Sequence, residues 1–295
     1  MNHHRLVLGT VQLGMPYGIN NMSGKPDFDS AVNIVRAAFD RGIARFDTAQ
    51  AYGDSEEVLG RIFDKLGIGA QVKVYSKLHP GLDGCDEEAV LRSVDASLKR
   101  LKVDCLEGLL LHHEDMVQAW DKGLKRAFRA LVIQGKVKAA GASFYTPGKC
   151  FEAMDMEGLD LFQVPSNIFD HRFEGAGLFE KARERGKAVF VRSVFLQGLL
   201  LMPLDRVPSS LQHALPYLKR LEQAALDMRL SRQALSLRYA AQRWPSAYVL
   251  FGAESPAQVI ANAEAFSVKA GLRMDEGLFK DVPENILNPV LWSKT

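Results

Sequence analysis

Four residues of this chain have the types and order that hydride chemistry at a carbonyl requires: Asp47, Tyr52, Lys77 and His112. A hydride arriving at a carbonyl carbon leaves negative charge on the oxygen, so a proton donor must stand beside that oxygen. A tyrosine such as Tyr52 has a free pKa near ~10, which is high for an acid at neutral pH. A lysine ammonium about 4 Å away, at an effective dielectric of ~20, favours the tyrosinate by roughly 4 kcal/mol, or about three pKa units. Burial acts in the opposite direction, so a smaller net drop is expected. Asp47 would hold Lys77 in place and charged, and His112 would bind and orient the carbonyl oxygen.

These residues can meet only if successive strands end on one face. Eight apolar runs read as strands: Leu6–Thr10, Ala44–Thr48, Val72–Lys77, Leu106–His112, Val137–Ser143, Leu161–Pro165, Ala188–Ser193 and Tyr248–Gly252. Most are nearly continuous in apolar residues, as strands covered on both faces must be. Amphipathic stretches alternate with them: Asp29–Arg41, Ser55–Leu66, Asp86–Leu101, Glu114–Gln134, Pro147–Met156, Gly177–Arg185, Leu215–Trp244 with a break near Ser231, and Pro256–Phe266. Glycines 42, 67, 135 and 186 stand where helices stop. Strict alternation implies a parallel sheet, and eight units favour closure into a (β/α)8 TIM barrel. An open doubly wound sheet is the alternative, but Gly9–Gly14 does not supply the Gly-rich phosphate loop it needs. Residues 1–295 are read as a single barrel domain, since such barrels reach roughly 250 residues. The loop Leu13–Phe28 is left without assigned structure. The tail beyond Lys269 is expected to cover part of the barrel mouth.

In such a barrel, chemistry sits at the C-terminal strand ends. Asp47, Lys77 and His112 end neighbouring strands and Tyr52 follows Asp47, while Ser143, Gln163 and Arg192-Ser193 occupy the later strands. Composition excludes several classes of partner. Apolar residues make up 47% and charged residues 24%, and the net charge of +2 is scattered, so neither nucleic acid nor a membrane surface is expected. Three cysteines without a Cys-x-x-Cys pair fit a reducing compartment and argue against disulfides or zinc. Without a signal-like N-terminus or an apolar run of about 18 residues, a cytoplasmic location is expected. Neighbouring strand residues point to opposite faces, so His112 and His113 are not expected to share a metal. Lys99, Arg100 and Lys102 read as a solvated helix end.

The stretch Asp47-Thr48-Ala49-Gln50-Ala51-Tyr52-Gly53-Asp54-Ser55-Glu56-Glu57-Val58-Leu59-Gly60 resembles the aldo-keto reductase signature D-T-A-x-x-Y-G-x-S-E-x-x-L-G. Five further blocks resemble that family in the same order: Ser76-Lys77, Asp104 through His112, Gly135 through Ser143, Gln163 with Asn167, and Gln197-Gly198-Leu199-Leu200. The resemblance implies a nicotinamide-dependent oxidoreductase acting on a small carbonyl substrate, with Asp47, Tyr52, Lys77 and His112 as a catalytic tetrad. It implies that Ser143 and Gln163 hold the nicotinamide carboxamide. Ser193, Leu196 and Gly198 would line the pyrophosphate, and Gly252–Asn262 the adenosine end. There Ser255-Pro256 also reads independently as a helix start suited to phosphate.

Departures from the pattern bear on specificity. Arg192 stands where an aromatic residue often stacks on the nicotinamide, and would stack there or contact the pyrophosphate. Gln258 replaces a basic residue of the 2′-phosphate clamp and Glu254 lies nearby, so the family favours NADPH while these two residues suit NADH; Asn262 keeps its match. His113 replaces a tryptophan of the substrate pocket, Phe144 a common asparagine, and Tyr17 is a further pocket candidate. A sugar, a sugar derivative or a small aldehyde would fit. Two other functions remain open: an aldolase forming a Schiff base on Lys77, and a cofactor-binding regulatory protein with little turnover. Oligomeric state is not set by the sequence.

Overall fold

The computed structural model describes residues 2–267, 271–272, 274–275 and 277–292. Eight parallel strands close into a barrel in which each pairs with the next and the last returns to the first. They are β1 (Leu6–Gly9), β2 (Arg45–Asp47), β3 (Lys73–Lys77), β4 (Gly108–Leu111), β5 (Ala140–Ser143), β6 (Leu159–Pro165), β7 (Ala188–Arg192) and β8 (Tyr248–Phe251). The open-sheet alternative is thereby excluded. All eight expected strands are present, most shortened at their ends. Val7, Tyr75, Leu110, Leu161, Phe190 and Leu250 form a separate buried cluster contributed by six of the strands. The larger apolar core lies between the strands and the surrounding helices.

The helices are α1 (Phe28–Asp40), α2 (Ser55–Leu66), α3 (Glu87–Leu101), α4 (Lys125–Ile133), α5 (Pro147–Ala153), α6 (Leu178–Glu184), α7 (Leu215–Asp227), α8 (Arg232–Arg243) and α9 (Pro256–Ser267). The break expected near Ser231 separates α7 from α8, and the Ser231 hydroxyl accepts the Ala234 N–H at 3.0 Å. The stop glycines 42, 67, 135 and 186 all adopt positive φ. The stretch expected as one helix over Glu114–Gln134 is interrupted. It begins as a 3₁₀ turn at Glu114–Ala119 and kinks at Gly123, and only α4 is regular helix. A side chain at Gly123 would lie 3.0 Å from the Gly84 carbonyl oxygen, so the chain bends where it presses on the loop after β3. The loop after β1 opens with a short helical turn, Val11–Gly14, that the sequence reading did not assign.

The expected cover over the barrel mouth is not found in the described part of the tail. Residues 277–292 do not line the cleft: Arg220 of α7 is bound to Asp281 at 2.8 Å, and Phe279 packs on Phe169 in the loop after β6. Residues 269–270 lie outside the described residues.

The seam between β1 and β8 is fastened by Arg5. Its guanidinium donates to the carbonyls of Ala247 at 3.0 Å, Trp244 at 2.6 Å and Ala241 at 3.3 Å, at and beyond the C-terminal end of α8. A cation suits that end of a helix; the Trp244 carbonyl also accepts the Ala247 N–H at 3.1 Å. Arg5→Met should therefore lower stability by about 3 kcal/mol, because buried carbonyls lose their donors. Chemical denaturation checks this; an unchanged midpoint would show that water replaces the guanidinium without loss.

Candidate active site

The four residues read as reactive come together at one end of a single cleft of about 520 Å³. Asp47 ends β2 and Lys77 ends β3, both almost fully buried. The Lys77 ammonium donates to Asp47 Oδ2 at 2.6 Å and to the Thr48 carbonyl at 2.9 Å. It lies 4.9 Å from the centre of the Tyr52 ring. Tyr52 meets His112 edge to face, with ring centres 5.6 Å apart.

Most letters of the signature around Tyr52 act on architecture. A side chain at Gly14 would lie 1.9 Å from the Tyr52 carbonyl oxygen, and one at Gly53 would lie 2.4 Å from the Gly14 oxygen. The loops after β1 and β2 thus touch backbone to backbone at Tyr52. Ser55 accepts from Thr48 at 3.0 Å and donates to the Thr10 carbonyl at 2.9 Å, while Thr10 donates to the Asp47 carbonyl at 2.9 Å. Glu56 is buried and accepts from Ser76 at 2.6 Å and from Arg100 at 2.6 and 2.9 Å. Ser76 precedes Lys77, so this chain of bonds anchors the end of β3. Arg100 is therefore no mere solvated helix end: its charge compensates a buried carboxylate. A side chain at Gly60 would strike the Arg100 carbonyl at 2.0 Å, so this glycine sets how closely α2 approaches α3.

The electrostatics assign distinct states to these groups. Burial, reinforced by Lys77 and then by His113, Arg192 and His79, pushes the His112 pKa down to about 3. His112 is accordingly a neutral imidazole at physiological pH, and its Nδ1 is buried without a partner. Tyr52 runs against the expected net drop. Burial and then the Asp47 charge hold its pKa above the ordinary tyrosine value, with Arg192 opposing. Burial is the larger cause, and the Asp47 carboxylate, which is bound to Lys77, adds to it. Tyr17 is also pushed up, to about 12, by burial and then by Tyr52.

Beyond the reacting end, the cleft runs past Ser143, Gln163, Arg192 and Ser193 to Gly198, Gly252, Glu254, Gln258 and Asn262, with Tyr17 at its edge. Gln163 donates to Asp47 Oδ1 at 2.7 Å, which leaves its side-chain carbonyl for a ligand. Asn167 donates to the Ser193 carbonyl at 3.2 Å and so fixes the turn after β7. Ser193, Leu196, Gln197 and Gly198 all have positive φ there. At the far end the Ser255 hydroxyl accepts the Gln258 N–H at 3.3 Å, and Gln258 Oε1 accepts the Glu254 N–H at 2.8 Å. Asn262 accepts from Gln233.

Two expected site residues lie elsewhere. The Leu196 side chain is in the core and does not line the cleft, so only its backbone contributes to the turn. His113 is likewise outside the lining; it stacks behind His112 with ring centres 5.2 Å apart. Both histidines follow β4, so the alternation expected of strand residues does not apply to them. Among the described residues no group of three or more His, Cys, Asp or Glu could hold a metal. Phe144 is buried against Phe162. The sequence reading missed Tyr145, over whose ring the Arg192 guanidinium lies at 4.1 Å. It also missed Gln12, whose Oε1 is buried without a partner. Tyr145 lies two residues beyond Ser143, the one signal that pointed to it.

The cleft suits a dinucleotide. It has unpaired buried polar atoms at Gln12 and His112, and it ends at the N-terminus of a full helix. Among the described residues no helix is long and apolar enough to cross a membrane. The sequence model of the Aldo/keto reductase family matches residues 5–271. An aldo-keto reductase of Bacillus subtilis (strain 168) is 28% identical over 180 residues, covering 58% of this chain and 52% of that protein. That alignment thus spans about half of the relative's length. The NADH-specific methylglyoxal reductase of Escherichia coli (strain K12) is 26% identical over 304 residues, covering 90% of each chain. The structure of a glycerol dehydrogenase from Gluconobacter oxydans superposes with a TM-score of 0.73 at 26% identity, covering 96% of this chain and 91% of that one.

Proposed function

From the premise that the chain belongs to the aldo/keto reductase family, we propose that it interconverts a small aldehyde or ketone and the corresponding alcohol with a nicotinamide cofactor. The observation that carries this reading is the buried Lys77–Asp47 pair beneath the Tyr52 ring, beside a neutral His112, at one end of a dinucleotide-sized cleft. When bound, the nicotinamide supplies the hydride in reduction and accepts it in oxidation.

The chain's own residues handle the oxygen and its proton. His112 is neutral and offers one N–H and one lone pair, so it orients the carbonyl oxygen without being the acid. Tyr52 keeps its proton through neutral pH and gives it up when negative charge develops on that oxygen. At that moment the tyrosinate forms within reach of the Lys77 ammonium, and Asp47 keeps that ammonium charged and in place. Ser143 and the side-chain carbonyl of Gln163 would hold the carboxamide, and the turn Ser193–Gly198 would line the pyrophosphate. Tyr17 and Tyr145 line the cleft, and side chains with a hydroxyl there favour a hydroxylated substrate such as a sugar or a sugar derivative.

Cofactor choice rests on Glu254 and Gln258. Burial raises the Glu254 carboxyl pKa. A carboxylate at this end accepts ribose hydroxyls and repels a 2′-phosphate. Gln258 spends its carbonyl on the Glu254 N–H, and among the described residues that line the cleft no cation stands at this end. NADH should bind about tenfold or more tighter than NADPH, a gap of ~1.4 kcal/mol, in a fluorescence titration of the purified protein. Gln258→Arg should narrow or invert that order. Tighter binding of NADPH to the unaltered protein would overturn the preference, and binding of neither would overturn the reductase reading.

A further inference from the structure

Four charged side chains line the described cleft: Asp47, Lys77, Arg192 and Glu254. Asp47 and Lys77 neutralise each other across 2.6 Å. Glu254 stands at the far end, just before α9. Arg192 is left as the uncompensated charge at the reacting end. Its contacts are the Tyr145 ring at 4.1 Å, the Ser193 hydroxyl at 3.4 Å and the Phe144 carbonyl at 3.3 Å. No carboxylate among the described residues pairs with it. Its charge is felt by Tyr17, Tyr52, Lys77 and His112, so it bears on the place where a hydride would move. It also reaches across β6 to the residue after Ser143, the corner assigned above to the carboxamide.

We propose that Arg192 makes the cleft select the reduced nicotinamide over the oxidised one. This rests on the reading of the cleft as a nicotinamide site. The reduced ring is neutral, whereas the oxidised ring carries a full positive charge, and the rest of the dinucleotide is the same in both. Any contact between Arg192 and the pyrophosphate therefore cancels in the ratio of the two affinities, and only the ring charge remains. Two unit charges about 6 Å apart at an effective dielectric of ~20 change an equilibrium roughly a hundredfold, and solvent in an open cleft reduces this to about tenfold. The other groups at that end add no net charge: Lys77 is matched by Asp47, and His112 is neutral. An aromatic residue at this position would stack on either ring without the penalty. The kinetic consequence is that the oxidised cofactor leaves readily after each reduction.

The test measures dissociation constants for NADH and NAD⁺, and for the NADPH pair, by quenching of protein fluorescence. The proteins are the wild type, Arg192→Gln, Arg192→Met and Arg192→Lys, each checked for an intact thermal transition. The wild type should favour the reduced form, and both neutral variants should shrink that ratio by roughly tenfold. Arg192→Lys should largely retain it. If the two affinities of the neutral variants fall together with the ratio unchanged, Arg192 serves the pyrophosphate and the proposal is overturned. An unchanged ratio with unchanged affinities overturns it equally. A wild type that binds neither form of either cofactor instead overturns the nicotinamide reading itself, which is a distinguishable result.

Discussion

Tyr52→Phe will lower kcat for carbonyl reduction by about 10²–10⁴-fold while leaving cofactor affinity close to that of the wild type. The substitution removes one oxygen and keeps the ring that meets His112 edge to face and lies over the Lys77 ammonium. The loop is held by backbone approach at Gly14 and Gly53 and by the Thr10, Thr48 and Ser55 hydroxyls, none of which involves the phenol. A loss of kcat without a loss of fold is thus expected. The alternative acid is His112, but an imidazole with its pKa pushed down to about 3 has no proton to give at neutral pH. The pH profile separates the two. Reduction should be level around neutral pH as far as His112 and Tyr52 decide it, because the first is held well below that range and the second above it. It should fall toward pH 3 as His112 charges, and above the ordinary tyrosine range as Tyr52 loses its proton. An inflection near pH 6.5 that His112→Gln abolishes would transfer the acid role to His112. Stability follows the same group. The unfolded chain takes up this proton first, so the contribution is complete above the unfolded pKa of ~6.5 and is lost as pH falls toward 3.

Lys77→Met will cost both activity and stability, and the two losses can be separated. Removing one partner of a buried ion pair costs about 3–5 kcal/mol, because Asp47 is left charged in the interior with Gln163 as its remaining side-chain donor. Catalysis should fall by about a hundredfold or more, since the forming tyrosinate loses its neighbouring cation. The double variant Asp47→Leu, Lys77→Met should recover much of the stability, because neither charge is then buried alone, yet recover none of the activity. If restored stability brings turnover back, Lys77 is a structural residue. The same lysine bears on the aldolase alternative. A Schiff base requires an uncharged amine, and burial does lower the Lys77 pKa while Asp47 raises it again. Two of its three N–H groups are already committed, to Asp47 and to the Thr48 carbonyl. Borohydride should trap no carbonyl substrate on Lys77; an adduct there would establish the aldolase chemistry.

The barrel was legible because apolar runs and amphipathic stretches alternate without interruption, and the strand ends could be read from the polar residues that close each run. Asp47, Lys77 and His112 fall at adjacent strand ends for that reason. What could not be read is set by distances between segments far apart in sequence. Nothing local to Arg100 marks it as the partner of Glu56, since the contact depends on how closely α2 and α3 cross at Gly60. The sign of the Tyr52 shift was misjudged for a similar reason: burial was set against the Lys77 charge but counted as the smaller of the two, and the Asp47 charge was weighed only for its hold on Lys77. Leu196 and His113 were placed by correspondence with a motif, and the left-handed turn after β7 and the ring stack after β4 send their side chains elsewhere.

The loop after β1 is fastened at two places. Gly14 is pressed against Tyr52 and Gly53, and the Ile19 N–H donates to the Gln197 carbonyl at 3.1 Å, with Asn20 against Gly198. Between these fixed points lie Met15, Pro16, Tyr17 and Gly18, and Tyr17 lines the cleft. From Gly14 to Ile19 the chain reaches no more than about 18 Å when fully extended. The chain therefore carries a cassette whose ends are clamped to the catalytic loop and to the turn after β7. The side chains of Met15 and Tyr17 can change without altering either clamp, whereas Gly18, with its positive φ beside the Gln197 carbonyl, cannot; point substitution at the first two would shift what the cleft admits while the Tyr52 loop stays fixed. Changing the cassette's length would instead pull directly on Tyr52.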